Sequence, residues 1–591
     1  MAILDQDLEI SSTPSDYEFA SGTLLIKSPD DGPFNDIRLT ANVQGPLITG
    51  QAVLSTTLAA RVSTNSALVR LASVSGVQTS HYLNVDANLS QQRNGTPPDY
   101  TGDQIDQGFH GSVTGIDGLN NIITLDRPHL WSFAPDLALT YVADGSRTRF
   151  HYRVVRRPKS QIEVRVDDVL QTEGVDFDFA AVSGSADLEA NPESTGIYID
   201  FTSAPANNAK VKLNVTSDVS VTVRRSGLLT MENVRIVSNG TDYQQKSVWR
   251  DRLKGSVYRN IEFIDRNIPM TGSRPAVGVQ YIEQLGVDTE VDGFEMNGGG
   301  YAFYVRGAGF AERNGVAFDV YERNQNWFSA TDNTSENIEC VNPATSFGGH
   351  GGHGVTIRRH KVVDGDMHIR SPGVNVDGLL CWAKEEADSI FSLGWGNKAA
   401  GHESELEDSR DDPATMVMNY GFSSSATNWL VRQDAAREAN LNILPASTVT
   451  LTDVDLGGKD GAIDVDADGT TTVPYRVNTL TATNVKCRQL NCRLVLAATI
   501  TNPELEELRL RTLAGQVGGV TVTGGSADGT DRVAAGDWVI DDDETSTPSV
   551  ARVFNGFAMT RPGAAGPTSN ADADVLALYE YTNTTLNGVE V

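Results

Sequence analysis

The stretch from Gly293 to Cys340 reads GFEMNGGGYAFYVRGAGFAERNGVAFDVYERNQNWFSATDNTSENIEC. It holds one short pattern in three copies: Gly293-Phe294-Glu295-Met296, Gly315-Val316-Ala317-Phe318 and Asn337-Ile338-Glu339-Cys340, spaced 22 residues apart. Each copy begins with Asn or Gly, the residues that turn a corner at positive φ, and continues with apolar residues at the second and fourth positions. Alternation of this kind builds a strand with one apolar face, and one such strand cannot bury that face alone. Copies spaced by one coil length stack on each other, so the pattern predicts an all-β fold whose body is a parallel β-helix. Further copies start at Asn233, Asn260, Gly354 and Gly378, and thinner ones at Asn428, Asp453 and Asn484. Near the amino terminus, Asp36-Ile37-Arg38-Leu39 reads as another unit.

The 591-residue chain has a formal net charge of -30, which disfavours nucleic acid and anionic membranes as partners. Neutral glycans, cations and other proteins remain. Asp predominates over Glu and Arg over Lys, a balance expected either of a protein working in concentrated salt or of a GC-rich genome. Four cysteines are too few for a disulfide scaffold. Cys340 and Cys381 fall on the inward slot of the repeat and read as small buried hydrophobes. The amino-terminal MAILDQDLEISSTPSD has neither a basic start nor an apolar core, and no apolar run approaches membrane-spanning length. A virion component released by lysis fits these features, as does a cytosolic protein.

Four regions are expected. Residues 1–142 read as a β region forming a cap or first coils, with a hairpin between Val113 and Pro128. Residues 143–218 alternate cleanly without the repeat corner and read as a small inserted β-sandwich. Residues 219–500 carry the β-helix, and 501–591 a β-rich carboxy-terminal domain.

Within the inserted module, Asp144, Gly145, Thr148, Phe150, Val169, Leu170, Gln171, Gly174, Asp176, Phe179, Phe201, Ala204, Pro205 and Val211 stand in a pattern that resembles the amino-terminal domain of podovirus tail-fibre proteins. The stretch 220–440 resembles the body of viral tailspikes. Together these resemblances imply a right-handed parallel β-helix in a homotrimer, carried on a virion tail or surface appendage beside other tail proteins. They also imply adhesion to a host-surface polysaccharide or glycoprotein, with or without depolymerase activity. In the family that module lies at the amino terminus and attaches the fibre, whereas here about 140 residues precede it.

Glycoside hydrolysis requires two carboxyl groups flanking the scissile bond, and neighbouring coils bring equivalent residues within about 4.8 Å. Asp319 with Glu322, and Asp364 with Asp366, are the candidate catalytic pairs, with Tyr321 and Trp327 as sugar-stacking platforms. A scatter of turn aspartates in an acidic protein accounts for the same residues. His350, His353, His360 and His368 crowd into one window out of nine histidines in the chain. They could bind a ligand, a metal or a proton, or merely occupy coil corners; His350, His353, His368 and Arg370 are the binding candidates. Asp464, Asp466 and Asp468 match the opening half of a calcium loop, but its twelfth position is Tyr475 where a Glu would be needed. No phosphate-binding loop, dinucleotide fingerprint, nucleophile elbow or HExxH motif is present. The competing classes are a non-enzymatic capsid-decoration or adhesion protein, and a free polysaccharide lyase or hydrolase.

Overall fold

The computed structural model describes the chain outside residues 1, 5–6, 13, 21, 29–33, 42, 61–65, 88–108, 130–135, 153–158, 182–196, 217–218, 239–246, 266–269, 272–273, 276–279, 328–329, 351–353, 370–372, 384–387, 394–422, 434–437, 444–445, 457–461, 466–476, 513–518, 530–538, 543–550 and 561–578. The fold is an all-β parallel β-helix. Strands Glu290–Asn297, Ala311–Phe318, Thr334–Val341, Thr356–Val363 and Asn375–Ala383 pair in parallel, each with the next. A second parallel stack runs through Gln280–Gln284, Tyr301–Val305, Glu322–Trp327, Thr345–His350 and Asp366–Ile369.

Each long strand bends at one residue of positive φ, so it contributes to two walls and the second stack supplies a third. The bends form a ladder through Asn233, Asn260, Gly293, Asn314, Asn337, Arg359, Gly378, Asn428, Asp453, Asn484, Asn502, Gly524, Gly556 and Asn583. Asn and Asp tolerate this region because their short polar side chains bond locally. Here the bonds run between coils: Asn260 Nδ2 donates to Asn233 Oδ1 at 2.7 Å, Asn337 Nδ2 to Asn314 Oδ1 at 2.8 Å and Asn484 Nδ2 to Asp453 Oδ1 at 2.8 Å.

Two corners differ from the sequence reading. Asn314, not Gly315, makes the bend, and Gly315 instead faces the interior. A Cβ there would lie 2.1 Å from the Phe294 ring, so the glycine is required by packing rather than by φ. The slip of one residue turns Val316 and Phe318 outward, and Phe318 is 37% exposed while Ala317 is buried. Gly354 belongs to an earlier corner with Gly309 and Asp332, and Arg359 takes the ladder position.

The interior divides into two apolar clusters, one ending at Ile338 and Cys340 and the other beginning at Phe347 and Val355. All four cysteines are free and buried.

The coil at Asp36 lies where its pattern placed it, but the chain then leaves the solenoid and returns far along the sequence. Thr23–Lys27 and Asn35–Leu39 pair in parallel with the two halves of Leu228–Ser238, so the solenoid begins near the amino terminus, is interrupted, and resumes on the coil it left. The interruption contains a six-stranded antiparallel sheet drawn from residues on both sides of the sandwich, Ala52–His129 and Val219–Arg224. Nested in it are a four-stranded and a three-stranded sheet whose shared core includes Phe150, Phe177, Ile199, Phe201 and Leu213. The first strand of this sandwich is Asp136–Val142, ahead of the expected start at 143.

The six-stranded sheet is bonded to the solenoid through Arg127 and Asp288 at 2.5 Å, Ser112 Oγ to Asp288 Oδ2 at 3.2 Å, and Tyr82 OH to the Arg252 carbonyl at 2.5 Å. Past residue 500 the parallel pairing continues through Val520–Thr523, Arg552–Asn555 and Tyr579–Thr582. The described part of 501–591 is therefore more solenoid, because its corner residues keep the same ladder. An antiparallel pair, Thr585–Leu586 with Val589–Glu590, follows these parallel strands. Among the described residues no helix is long and apolar enough to cross a membrane.

Candidate carbohydrate-binding edge

The corner following each long strand is a second ladder of positive φ, formed by Gly298, Asp319, Asn342 and Asp364. Asp319 and Asp364 therefore occupy the same position on coils two steps apart, with Asn342 between them donating to Asp319 Oδ1 at 2.6 Å. The chain then enters the third wall, where Glu322 pairs with Thr345 and Thr345 with Asp366. Two coil steps of about 4.8 Å separate the Glu322 and Asp366 backbones by roughly 10 Å. The two acidic pairs singled out in the sequence are thus equivalent positions on one edge, rather than four unrelated turn residues.

The environments differ along this edge. Glu322 is 7% exposed and Asp364 8%, whereas Asp366 is half-buried. The Glu322 carboxylate leans over the next coil: a Cβ on Gly348 would sit 1.2 Å from Glu322 Oε1. Gly348 in turn pairs with His368. Tyr321 meets Tyr301 edge to face at 5.8 Å, Tyr301 meets Tyr304 at 5.9 Å, and the Arg306 guanidinium lies 5.0 Å from the Tyr304 ring. These aromatic rings adjoin the acidic edge.

The backbones of Trp327 and His350 pair on adjacent coils. The side chains of Trp327, His350, His368 and Asp464, and all of His353, Arg370, Asp466 and Asp468, lie outside the described residues. Asp464 itself belongs to strand Ala462–Val465, in register with Asn442 and Asn491, so the calcium-loop reading starts from a ladder residue. Among the described residues no group of three or more His, Cys, Asp or Glu could hold a metal ion.

His360 departs from the other histidines of its window. It takes the inward position of Ile338 and Leu379 and is 3% exposed. Sequence reasoning also missed Glu312 and Arg323, an ion pair at 2.5 Å with both side chains fully buried in the interior. Nothing in either local sequence marks them as internal; only the coil register does.

No known protein family matches the chain, and no curated protein does. Solved structures that align with it include the tailspike protein gp49 of Pseudomonas phage LKA1, at 10% identity and a TM-score of 0.32 over 88% of this chain and 74% of that one. The Gp54 tailspike of Acinetobacter baumannii bacteriophage AP22, solved in complex with a capsular saccharide, aligns at 12% identity and a TM-score of 0.26 over 99% and 74%. The catalytic unit of a GH87 α-1,3-glucanase from Streptomyces thermodiastaticus strain HF3-3 aligns at 12% identity and 0.27 over 85% and 96%. Superpositions this loose carry no argument about activity, and the architecture rests on the strand register.

Proposed function

We propose that the protein is a virion tailspike or tail-fibre subunit that holds an extended host-surface saccharide against the edge formed by Asp319, Glu322, Asp364 and Asp366, and hydrolyses it. The observation that carries this reading is the stacking of Glu322 and Asp366 on one wall with Thr345 between them. Their backbone separation of roughly 10 Å lies just above the range of about 6.5–9.5 Å between carboxyl groups in inverting hydrolases, within reach of side-chain lean. Glu322, the more buried, is assigned the general acid. Asp366 is assigned the base that activates water from the opposite side. Tyr321 and Trp327 would support sugar rings, and His350, His353, His368 and Arg370 would bind their hydroxyls.

The net charge of -30 favours a neutral or cationic glycan over a polyanionic one. Assembly as a homotrimer with other tail proteins, Ca2+ at Asp464, Asp466 and Asp468, and release to the outside at lysis belong to the same proposal. Exposed Val169, Leu170 and Val175 on the inserted module support its contact with another virion protein.

The test is incubation of the purified protein with host surface polysaccharide, reading both reducing ends and unsaturated uronates. Release of reducing ends that falls at least 100-fold in Glu322→Gln and in Asp366→Asn is the expected result. Unsaturated products would make the protein a lyase. Cell binding without either product would leave an adhesion protein.

A further inference from the structure

The two apolar clusters of the lumen meet at a polar plug. Glu312 Oε1 accepts from Arg323 Nη1 at 2.5 Å, from Asn324 Nδ2 at 2.8 Å and from Ser335 Oγ. Arg323 Nη2 also reaches Ser335 Oγ at 3.3 Å. Register surrounds the guanidinium with small side chains: Ala302 precedes Arg323 on the coil below and Ser346 follows it on the coil above. Gly315, Ala317 and Cys340 line the adjoining wall.

Five buried polar atoms of this plug have no hydrogen-bond partner: Glu312 Oε2, Arg323 Nε, Ser346 Oγ and both ring nitrogens of His360. Cys340 lies beside both Ser346 and Arg323, and the Ser335 backbone beside the His360 ring, but none of these contacts completes a hydrogen bond to the five atoms. A buried polar atom left unpaired costs about 1–3 kcal/mol, more when it is charged, so five in one place call for an occupant.

The chemistry of the five atoms selects that occupant. Glu312 Oε2 only accepts and Arg323 Nε only donates. Ser346 does both, and a neutral imidazole carries one donor and one acceptor. An anion would satisfy Arg323 and repel Glu312; a cation would do the reverse. The ion pair is already neutral overall. We propose that the lumen between Glu312 and His360 is a hydrated chamber, in which buried water molecules bridge Glu312, Arg323, Ser346 and His360. At roughly three bonds per buried water, the five atoms require about two molecules. The chamber does not rest on the saccharide reading, since its hydrogen bonds join Glu312, Arg323, Asn324 and Ser335 inside the coil.

Crystals of the full chain provide the test. Two peaks refined as water, within hydrogen-bonding distance of Glu312 Oε2 and Arg323 Nε, are expected, with no anomalous signal there after bromide or rubidium soaks. An empty chamber, a rearrangement that pairs the five atoms with protein groups, or an anomalous peak would overturn the proposal. Ser346→Val, which removes one ligand and fills space while keeping β propensity, is expected to lose the peak nearest residue 346. An unchanged water network in that variant would likewise contradict the assignment.

Discussion

The solenoid uses one backbone plan in two chemically different stretches. From Leu228 to Ala383 the outward lane just before the Asn ladder runs Glu232, Arg259, Asp292, Arg313, Glu336, Arg358 and Asp377, with the sign alternating at every coil. From Ser423 onward the same lane runs Thr427, Thr452, Thr483, Thr501 and Thr523. The lane beside it carries Ser425, Thr450, Thr481, Thr499 and Thr521. The interiors differ too: Trp249, Tyr258, Phe263, Phe303 and the Glu312–Arg323 pair fill the first stretch, while Val449, Leu451, Leu480, Ile500 and Val522 dominate the second. A parallel stack places equivalent side chains about 4.8 Å apart, where two like charges in water repel by about 0.9 kcal/mol. Each stretch solves that problem in its own way, one by alternating sign and the other by removing charge and using a β-branched residue that suits the pleat.

The largest difference between the stretches is expected inside. Glu312→Ala leaves the Arg323 guanidinium buried without its partner, and should cost about 3–5 kcal/mol. Leu480→Ala in the aliphatic stretch should cost about 2–5 kcal/mol through the cavity it opens. Denaturant unfolding of both variants alone does not distinguish the two interiors. The distinguishing variant is Glu312→Leu combined with Arg323→Met, which removes both charges and should restore most of the stability lost in Glu312→Ala. If the double variant is as unstable as Glu312→Ala, the plug is held by more than its ion pair.

His360 sets a pH dependence that the second stretch lacks. Burial, reinforced by the neighbouring Arg323 charge, holds its pKa well below the ordinary histidine value of 6.5. The unfolded chain therefore binds a proton at pH values where the folded chain does not. Its contribution is complete above about pH 6.5 and is lost as pH falls below it, at up to about 1.4 kcal/mol per unit until the folded pKa is reached. His360→Leu copies the residue that Leu379 places at this position one coil on. Subtracting its stability curve from that of the parent, between pH 7.5 and 5, should isolate the slope; identical curves would mean that His360 takes up its proton at the same pH in the folded and the unfolded chain.

The corners show what could be read in advance. Asn260, Gly293, Asn337 and Gly378 were legible because a bend at positive φ selects Asn or Gly. Gly315 was misread for a related reason: glycine also serves where a ring, here Phe294, leaves no room for a Cβ. Asp36 belonged to the first coil as its pattern suggested, but its contact with Arg235 spans 199 residues of sequence, so no local signal reveals the interruption between them. The equivalence of Glu322 and Asp366 was hidden similarly, because the spacing changes from 23 residues between Glu322 and Thr345 to 21 between Thr345 and Asp366. Residues Thr448 to Thr452, TVTLT, and Thr479 to Thr483, TLTAT, were visible as strands, yet their alignment into lanes required the coil lengths.

Arg359 tests the ladder itself. It holds φ at 51° where the other coils place Asn, Asp or Gly, and its guanidinium bonds Glu336 on the coil below. Left-handed backbone costs an ordinary residue about 1–2 kcal/mol, while an exposed ion pair contributes at most about 1 kcal/mol. Arg359→Asn should therefore raise stability by about 1 kcal/mol, seen as a higher unfolding midpoint. Arg359→Ala, which keeps the strain and loses the pair, should lower it.

Salt should give the smallest effect and the sharpest contrast between the two stretches. Replacing Arg259, Arg313 and Arg358 together with Gln leaves Glu232, Asp292, Glu336 and Asp377 as an uninterrupted acidic lane, its members two coils or about 10 Å apart. That distance matches the Debye length at about 0.1 M salt, so the added repulsion should amount to a few tenths of a kcal/mol there and vanish near 1 M. Replacing Thr452, Thr483 and Thr501 with Val should change stability equally at both salt concentrations, since no charge is involved. The parent chain, at -30 overall, should itself gain stability with salt as its self-repulsion is screened. A parent equally stable from low to multi-molar salt would argue against a halophilic origin for its acidity, and would leave the alternating lane as the feature that balances charge locally within the fold.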